Sequence, residues 1–485
     1  MNPLAAHLIP AIRWDAERGF GGEAERIARA LTLGVGGFVI QNGPLDAVAA
    51  LVRALHTRAR HPLLIAVDGE NGLGGTLSGA TGFPPAQALA AEGEASVRRA
   101  AAITARDART IGVNWLLAPV LDIALEPLNP VVGSRAFGDE AATVAEAGEA
   151  WIDAVQAESV LACAKHFPGH GRTLLDSHLD LPIIEAEQQL LHEIDLAPFR
   201  AAIDVGVASV MVGHIAVPAF DASGRAASMS APIIQQLLRE MMGFDGLVVS
   251  DALEMDGALA LEAEPAAAVR ALGAGLDLLL APFDPAAILK AMERAIADGV
   301  LDAEQLERSR ARRLQWAQWG TPAAPGRATT LDDAMWARQA AARALTVVRG
   351  QLPIITSRVR LVVVEDDRTA YAPTPSRREL PDAFTAMGIE VVPLLDPRTD
   401  YAPLVIAVYA GVVGGKGHIA PSDAACAAVT RAQEIARAGG RECVVVLFGD
   451  PVGAARLSGS EHMLLAWRGD AAMQLAVAHR LVTGS

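Results

Sequence analysis

The chain has 485 residues, of which 52% are hydrophobic and 20% charged, with a formal net charge of −15. That length suits two or three domains with their own cores, the composition excludes a disordered chain, and the acidic balance argues against nucleic acid or an anionic membrane as partner. No uninterrupted apolar run reaches the roughly 18 residues of a membrane span. The opening "MNPLAAHLIPAIRWDAERG" lacks the basic region, apolar stretch and cleavage site of a secretion signal, so the reading is a soluble, cytoplasmic protein.

Eight short apolar, β-rich runs come first, separated by amphipathic stretches rich in Ala, Glu and Arg. They are "HLIPAIRW" (7–14), "GVGGFVIQNG" (34–43), "PLLIAVDGE" (62–70), "GVNWLLAPVLDI" (112–123), "VLACAKHFPG" (160–169), "VASVMVGHIAV" (207–217), "GLVVSDALE" (246–254) and "GLDLLLAP" (275–282). The alternation predicts parallel sheet covered by helices, and eight repeats over this length suit a (β/α)8 TIM-type barrel. Periodicity alone also admits a doubly wound sheet. Residues 1–318 are read as the barrel domain. "WGTPAAPGRATTLDD" (319–333) then reads as a linker and "LDDAMWARQAAARALTVV" as a connecting helix, giving a connection over 319–345. The runs "VRLVVVED", "IEVVPLL", "PLVIAVYAG", "ECVVVLFGD" and "HMLLAWRGD" alternate with helical patterns and predict a smaller, doubly wound α/β sandwich over 346–485. "AGVVGGKGH" (410–418) lacks dinucleotide-binding spacing and reads as a surface loop, or as one that reaches the barrel mouth.

Chemistry in a barrel sits at the carboxyl ends of the strands. Here those ends carry Asp68 and Glu70, Asp122, Lys165 and His166, His214, and Asp251, which should converge. Asp251, delivered by "LVVSDALEM", suits a nucleophile, a general base or a helix cap. Asp176 and His178 lie two residues apart on a loop with glycines at 169 and 171. A carboxylate bonded to one imidazole nitrogen leaves the other to exchange a proton, so this pair suits general acid/base work. His166, His170, Asp176 and His178 are also metal-ligand types, but their spacing is irregular; neither metal nor cofactor is expected. His170, between two glycines, is read as structural. Cys163, Cys426 and Cys443 have no disulfide or metal-ligand pattern and read as buried thiols.

"KHFPGHGRTLLDSH" (165–178) resembles the signature of the β-N-acetylglucosaminidase branch of glycoside hydrolase family 3. "GFDGLVVSDALEM" resembles that family's nucleophile strand, "APVLDI" and "GSRAFGDE" its fourth barrel segment, and "SVMVGHIAVPAFD" with "SMSAPIIQQLLREMMGFDG" the connection before the nucleophile. The resemblance covers most of residues 30–345 and implies a two-domain retaining exo-β-N-acetylglucosaminidase acting on small cell-wall or chitin-derived saccharides. It makes Asp251 the nucleophile and His178 the acid/base held by Asp176, with Asp68, Arg135, Lys165, His166, Met211 and His214 binding the sugar. The implied partner is a small saccharide, for a monomer or homodimer. The loop "DGENGLGGTLSGATGFPP" (68–85) departs from the family's pattern by lacking arginines, which bears on specificity. A family 3 β-glucosidase, a phosphorylase and a non-catalytic sugar-binding barrel are the competing readings.

Overall fold

A computed structural model describes residues 2–320, 329–369, 376–394 and 401–484. The central part of the expected linker, 321–328, lies outside the described residues.

The first part carries strands β1 (Leu8–Ile9), β2 (Ala11–Ile12), β3 (Gly37–Ile40), β4 (Gly43–Pro44), β5 (Leu64–Val67), β6 (Leu77–Ser78), β7 (Trp115–Leu116), β8 (Cys163–Phe167), β9 (Ser209–Val212), β10 (Leu247–Ala252) and β11 (Leu278–Leu280). All eight predicted runs contain strand, but their ladders form two parallel sheets, β2-β3-β5-β7 and β1-β11-β10-β9-β8, rather than one closed sheet. The division has a local cause at each seam. Pro10 splits the first run, so Leu8 pairs with Leu279 on one side and Ala11 with Val39 on the other. The fourth run, read as 112–123, keeps only Trp115–Leu116 as strand, and it meets the run of β8 only through single bridges on either side of Pro119, which has no N–H to give: Trp115–Leu161 before it and Val120–Lys165 after it. β4 and β6 form a separate two-stranded parallel pair.

Successive strand side chains point to opposite faces, and the packing follows that period. Leu64, Ala66, Leu247 and Val249 join Ile9, Val39, Trp115, Cys163, Met211 and Leu278 in one buried cluster fed by both sheets. Ile65, Val67 and Val248 face the other way, against the apolar stripes of helices such as Glu94–Thr110 and Ala141–Ala157. The carboxyl ends of the strands therefore rim one core.

The second part contains β12 (Thr346–Arg349), β13 (Arg358–Glu365), β14 (Glu390–Val392), β15 (Leu404–Ala410), β16 (Cys443–Gly449) and β17 (Met463–Leu465), in the order β12-β17-β16-β15-β13-β14. All pairs are parallel except β12 with β17. Val405, Ala407 and Tyr409 pack on one face with Val477 and Leu481, while Ile406 and Val408 pack on the other with Val429 and Ala432. Helices thus cover both faces. The connecting helix is shorter than its pattern suggests: it spans Leu331–Ala344, capped reciprocally by Thr330 and Asp333, and the "TVV" that follows is the antiparallel edge strand β12. β-branched residues favour that pleated surface over a last helical turn.

No described helix is long and apolar enough to cross a membrane. Cys163 is buried and its thiol is pushed up to about 12, chiefly by burial, whereas Cys426 and Cys443 are half-buried rather than enclosed.

Candidate active site

A cavity of about 280 Å³ opens at the carboxyl ends of the first part's strands, lined by Asp68, Glu70, Arg135, Lys165, His166, His178, Met211 and Asp251, together with Val412, Val413, Gly414 and Arg468 of the second part. Seven of the nine residues singled out from sequence line it; Asp176 and His214 sit behind the wall.

Asp251 ends β10 and accepts from the Ala252 N–H at 2.8 Å. Burial works to raise its carboxyl, but the imidazoles of His166, His214 and His178 outweigh that and hold it at about 2. His178 bonds through Nδ1 to Asp176 Oδ1 at 2.8 Å, and its own N–H donates to the same oxygen at 2.9 Å. A carboxylate only accepts, so Nδ1 carries its hydrogen and Nε2 is the nitrogen left for proton exchange. Asp176 uses its second oxygen on the other part of the chain, accepting from Gly415 N at 2.8 Å and Gly417 N at 3.3 Å. Burial would raise Asp176; the His178 bonds and the Gly415 N–H together hold it below the usual carboxylate range.

The segment 410–418 is therefore no free surface loop. The Lys416 side chain is enclosed and ties it down through the Ala410 and Gly411 carbonyls. Gly414 lies so close to the imidazole that a Cβ there would fall 2.4 Å from His178 Nε2. The glycines of 165–178 serve close packing. Gly171 allows a backbone crossing, since a Cβ would meet the Ile123 carbonyl at 1.8 Å. The turn is further pinned by His170, whose ring bonds Ser177 Oγ at 2.9 Å and Thr173 Oγ1 at 2.6 Å, in keeping with a structural role. Burial lowers His170 to about 4.

Opposite lies an ion cluster. Arg135 donates to both oxygens of Glu70, at 2.9 and 2.8 Å, and Lys165 Nζ reaches Glu70 at 2.7 Å and Asp68 at 2.9 Å. Burial opposes the charges of Glu70, Arg135 and Lys165. Arg135 and Lys165 nevertheless hold Glu70 well below the carboxylate range, and the carboxylates hold both cations up. The two cations are thus already paired. His166 bonds through Nδ1 to Asp122 Oδ2 at 2.7 Å, and Asp122, fully buried, also accepts from His166 N and His170 N. Asp122 is a support under the wall, not part of it.

His214 does not reach the cavity. It is fully buried, with Nδ1 on Ser228 Oγ at 2.7 Å and Nε2 on the Ala252 carbonyl at 3.1 Å, so both ring nitrogens are committed and it braces the backbone beside Asp251 instead of contacting a ligand. Glu70, Asn71, Glu254 and Arg468 line the cavity without having been singled out as contacts. Glu70 stood beside Asp68 at a strand end and was legible; Arg468 follows a short strand 187 residues or more along the chain from the other wall residues except 412–414, and no motif marks it. Among the described residues no group of three or more His, Cys, Asp and Glu side chains is arranged to hold a metal ion.

A carboxylate kept ionised, a carboxylate-oriented imidazole and a wall of paired charges on one cavity define the equipment of a glycosidase, which needs a nucleophile or base, a proton donor and fixed partners for hydroxyls. The profile of the Glycosyl hydrolase family 3 N terminal domain matches residues 31–315, and the chain belongs to that family. It is 34% identical over 363 residues to a beta-N-acetylglucosaminidase/beta-glucosidase from Cellulomonas fimi, covering 70% of this chain and 64% of that protein, so it spans less than two thirds of that relative. Among solved structures, a glycoside hydrolase family 3 beta-N-acetylglucosaminidase from Paenibacillus sp. superposes with a TM-score of 0.81 at 26% identity, covering 99% of this chain and 96% of that one. A beta-glucoside phosphorylase has the same fold, with a TM-score of 0.83 at 20% identity over 100% of this chain and 92% of its own.

Proposed function

We propose that this protein is a retaining exo-β-N-acetylglucosaminidase that releases terminal β-linked N-acetylglucosamine from small cell-wall or chitin-derived saccharides, and that its two N-terminal sheets are arcs of one (β/α)8 barrel. The observation that carries the reading is the opening of Asp251 and the Asp176-bound His178 onto one cavity. Names given to relatives, beta-N-acetylglucosaminidase among them, support it.

In the first step an oxygen of Asp251 attacks the anomeric carbon while the glycosidic C–O bond breaks and His178 Nε2 gives its proton to the leaving oxygen. In the second, water attacks the same carbon, His178 Nε2 takes its proton, and the bond to Asp251 breaks, so configuration is retained. Asp176 keeps the imidazole in one tautomer and offsets the positive charge it carries before the first step and again after the second. The ion cluster of Lys165, Arg135, Glu70 and Asp68 presents donors and acceptors to sugar hydroxyls without reorganising, and any bond that tightens in the oxocarbenium-like state lowers the barrier. Met211 and His166 complete the floor.

A second reading rests on the identity of the acid/base. Imidazole puts no second negative charge beside Asp251, so an anionic acceptor such as phosphate is repelled less than by a carboxylate base, and phosphorolysis is the alternative to hydrolysis. The test is turnover of para-nitrophenyl N-acetyl-β-glucosaminide beside the β-glucoside, for wild type, His178→Ala and Asp251→Ala, with and without phosphate. Loss in both variants supports the assignment, a sugar phosphate product selects the phosphorylase, and no wild-type turnover of either glycoside overturns the enzymatic reading in favour of a sugar-binding barrel.

A further inference from the structure

Two polar side chains at the cavity rim are used by none of the steps above. Asn71 follows the ion-cluster residue Glu70; it is 4% exposed, lines the cavity, and its side-chain oxygen is buried without a hydrogen-bond partner among the described residues. Its backbone is fixed, since its carbonyl accepts from Phe83 N at 2.9 Å across the glycine-rich loop. A buried amide with an unused oxygen is costly unless something supplies the missing bond.

Facing it from the second part is Arg468. The chain leaves β17, passes Trp467 at a left-handed φ of 58°, and turns Arg468 toward the loop after β5. Its described side-chain partner is Asp470, which takes Nε at 3.3 Å while also capping the helix Ala471–Thr483 through Met473 N. Asp470 takes Nε, and Nη2 lies beside Gly75. One point locates the pair: the Cβ that Gly75 lacks would lie 3.6 Å from Asn71 Cβ and 3.9 Å from Arg468 Nη2. The loop that is arginine-free in sequence thus receives an arginine from the other part of the chain, and the absence of a side chain at Gly75 keeps the space between Asn71 and Arg468 open. Lys165 and Arg135 are occupied by Glu70 and Asp68, whereas the outer edge of Arg468 has no described carboxylate on it.

We propose that Asn71 and Arg468 form a subsite that reads an amide substituent on the sugar, Arg468 donating to its carbonyl oxygen and the Asn71 side-chain oxygen accepting its N–H. A secondary amide offers an acceptor and a donor a few ångströms apart, which matches an arginine edge facing an unsatisfied amide oxygen. A hydroxyl in the same place meets one partner and leaves the other bare. Sites built to bond a polar substituent reject analogues without it strongly, because their own buried groups are then left unpaired. The inference rests on the glycosidase reading for its ligand class, and it makes the second part of the chain a determinant of N-acetylglucosaminide over glucoside.

The test compares kcat/KM for para-nitrophenyl N-acetyl-β-glucosaminide and the β-glucoside in wild type, Arg468→Ala, Arg468→Lys and Asn71→Leu. The ratio of the two constants is expected to fall about 10- to 100-fold in Arg468→Ala and in Asn71→Leu, and less in Arg468→Lys, which keeps a donor. Equal losses on both glycosides, or a ratio within threefold of wild type in both variants, overturns the proposal and leaves Arg468 a residue that docks the two parts. If wild type turns over neither glycoside, calorimetric titration with free N-acetylglucosamine and glucose decides separately. A preference for the amide sugar that Arg468→Ala removes supports the subsite, and no preference in wild type overturns it.

Discussion

Gly414→Ala is a single added methyl group aimed at the nitrogen proposed to move the proton. The new Cβ would stand 2.4 Å from His178 Nε2, 2.5 Å from Cε1 and 2.7 Å from Cδ2, so about 1 Å must open to reach ordinary contact. Neither side can give freely. The imidazole is held by Asp176 Oδ1 at 2.8 Å, and the loop by the 2.8 Å bond from Gly415 N to Asp176 Oδ2 and by the carbonyl bonds of Lys416. Gly414 has no left-handed φ, so the substitution brings a steric effect with no backbone penalty. Misplacing a reacting group by about 1 Å costs on the order of 10²-fold in rate, while the stability loss is bounded by one charge-assisted hydrogen bond, about 1.5–3 kcal/mol. We expect kcat for the N-acetylglucosaminide to fall about 100-fold with a modest change in KM. Gly411→Ala, whose Cβ would meet its nearest neighbour, Asp367 Oδ2, at 3.5 Å, should remain within threefold of wild type. Steady-state kinetics on both variants, with urea unfolding to confirm the fold, decides it. A folded Gly414→Ala enzyme with kcat within threefold of wild type would refute the claim that this loop sets the position of His178.

Glu70→Gln strips Arg135 of its carboxylate and leaves Lys165 with Asp68 alone, and a buried pair broken on one side costs about 3–5 kcal/mol; urea unfolding should read that loss, with a raised KM, and a change under 1 kcal/mol contradicts the charge assignment. Asp122→Ala removes the acceptor of His166 Nδ1, His166 N and His170 N and should destabilise by about 3 kcal/mol, whereas a neutral result would mean that water replaces it fully. For Asp251, the folded value of about 2 lies below the unfolded value near 3.9, so its carboxylate stabilises the fold above about pH 4 and that contribution disappears as pH falls toward 2. The stability of wild type relative to Asp251→Asn should therefore be flat from pH 7 to 5 and decline below 4, and an increase on acidification contradicts the sign.

What was legible in the sequence is what neighbours in the chain could show. Asp176 and His178 are two residues apart and their bond could be anticipated from spacing; Asp251 ends an apolar run and marks the carboxyl end of its strand. The eight runs gave the strands because period-2 burial leaves a local imprint. Contacts between distant residues left none. The bond from Gly415 to Asp176 joins residues 239 apart, the Arg135–Glu70 pair spans 65, and nothing local distinguishes Arg468 from any surface arginine. His214 was misjudged for the same reason: a histidine at a strand end looks identical whether its ring faces a cavity or, as here, lies behind one between Ser228 and Ala252. The seams at Pro10 and Pro119 were visible as residues but not as breaks in a ladder, because the consequence depends on which neighbouring strand needed the missing donor.

The charges around the cavity divide in a way that bears on the proposed chemistry. Asp68 and Glu70 are neutralised by Lys165 and Arg135, and Glu254 by Arg13. Among the described residues Asp251 alone of the lining carboxylates has no lysine or arginine partner; its negative charge is stabilised by three imidazoles and the Ala252 N–H. A guanidinium bonded to Asp251 would also keep it ionised, but would occupy an attacking oxygen and be stranded, buried and unpaired, once the carboxylate became a neutral glycosyl ester. An imidazole carries no permanent charge to be stranded in this way. The same permanent cations, kept on the opposite wall and already paired, can meet hydroxyls in both states without a change in their own charge balance. In the proposed reaction Asp251 would therefore pass between anion and ester with no permanent cation bound to it, while the paired cations of the other wall keep their own balance.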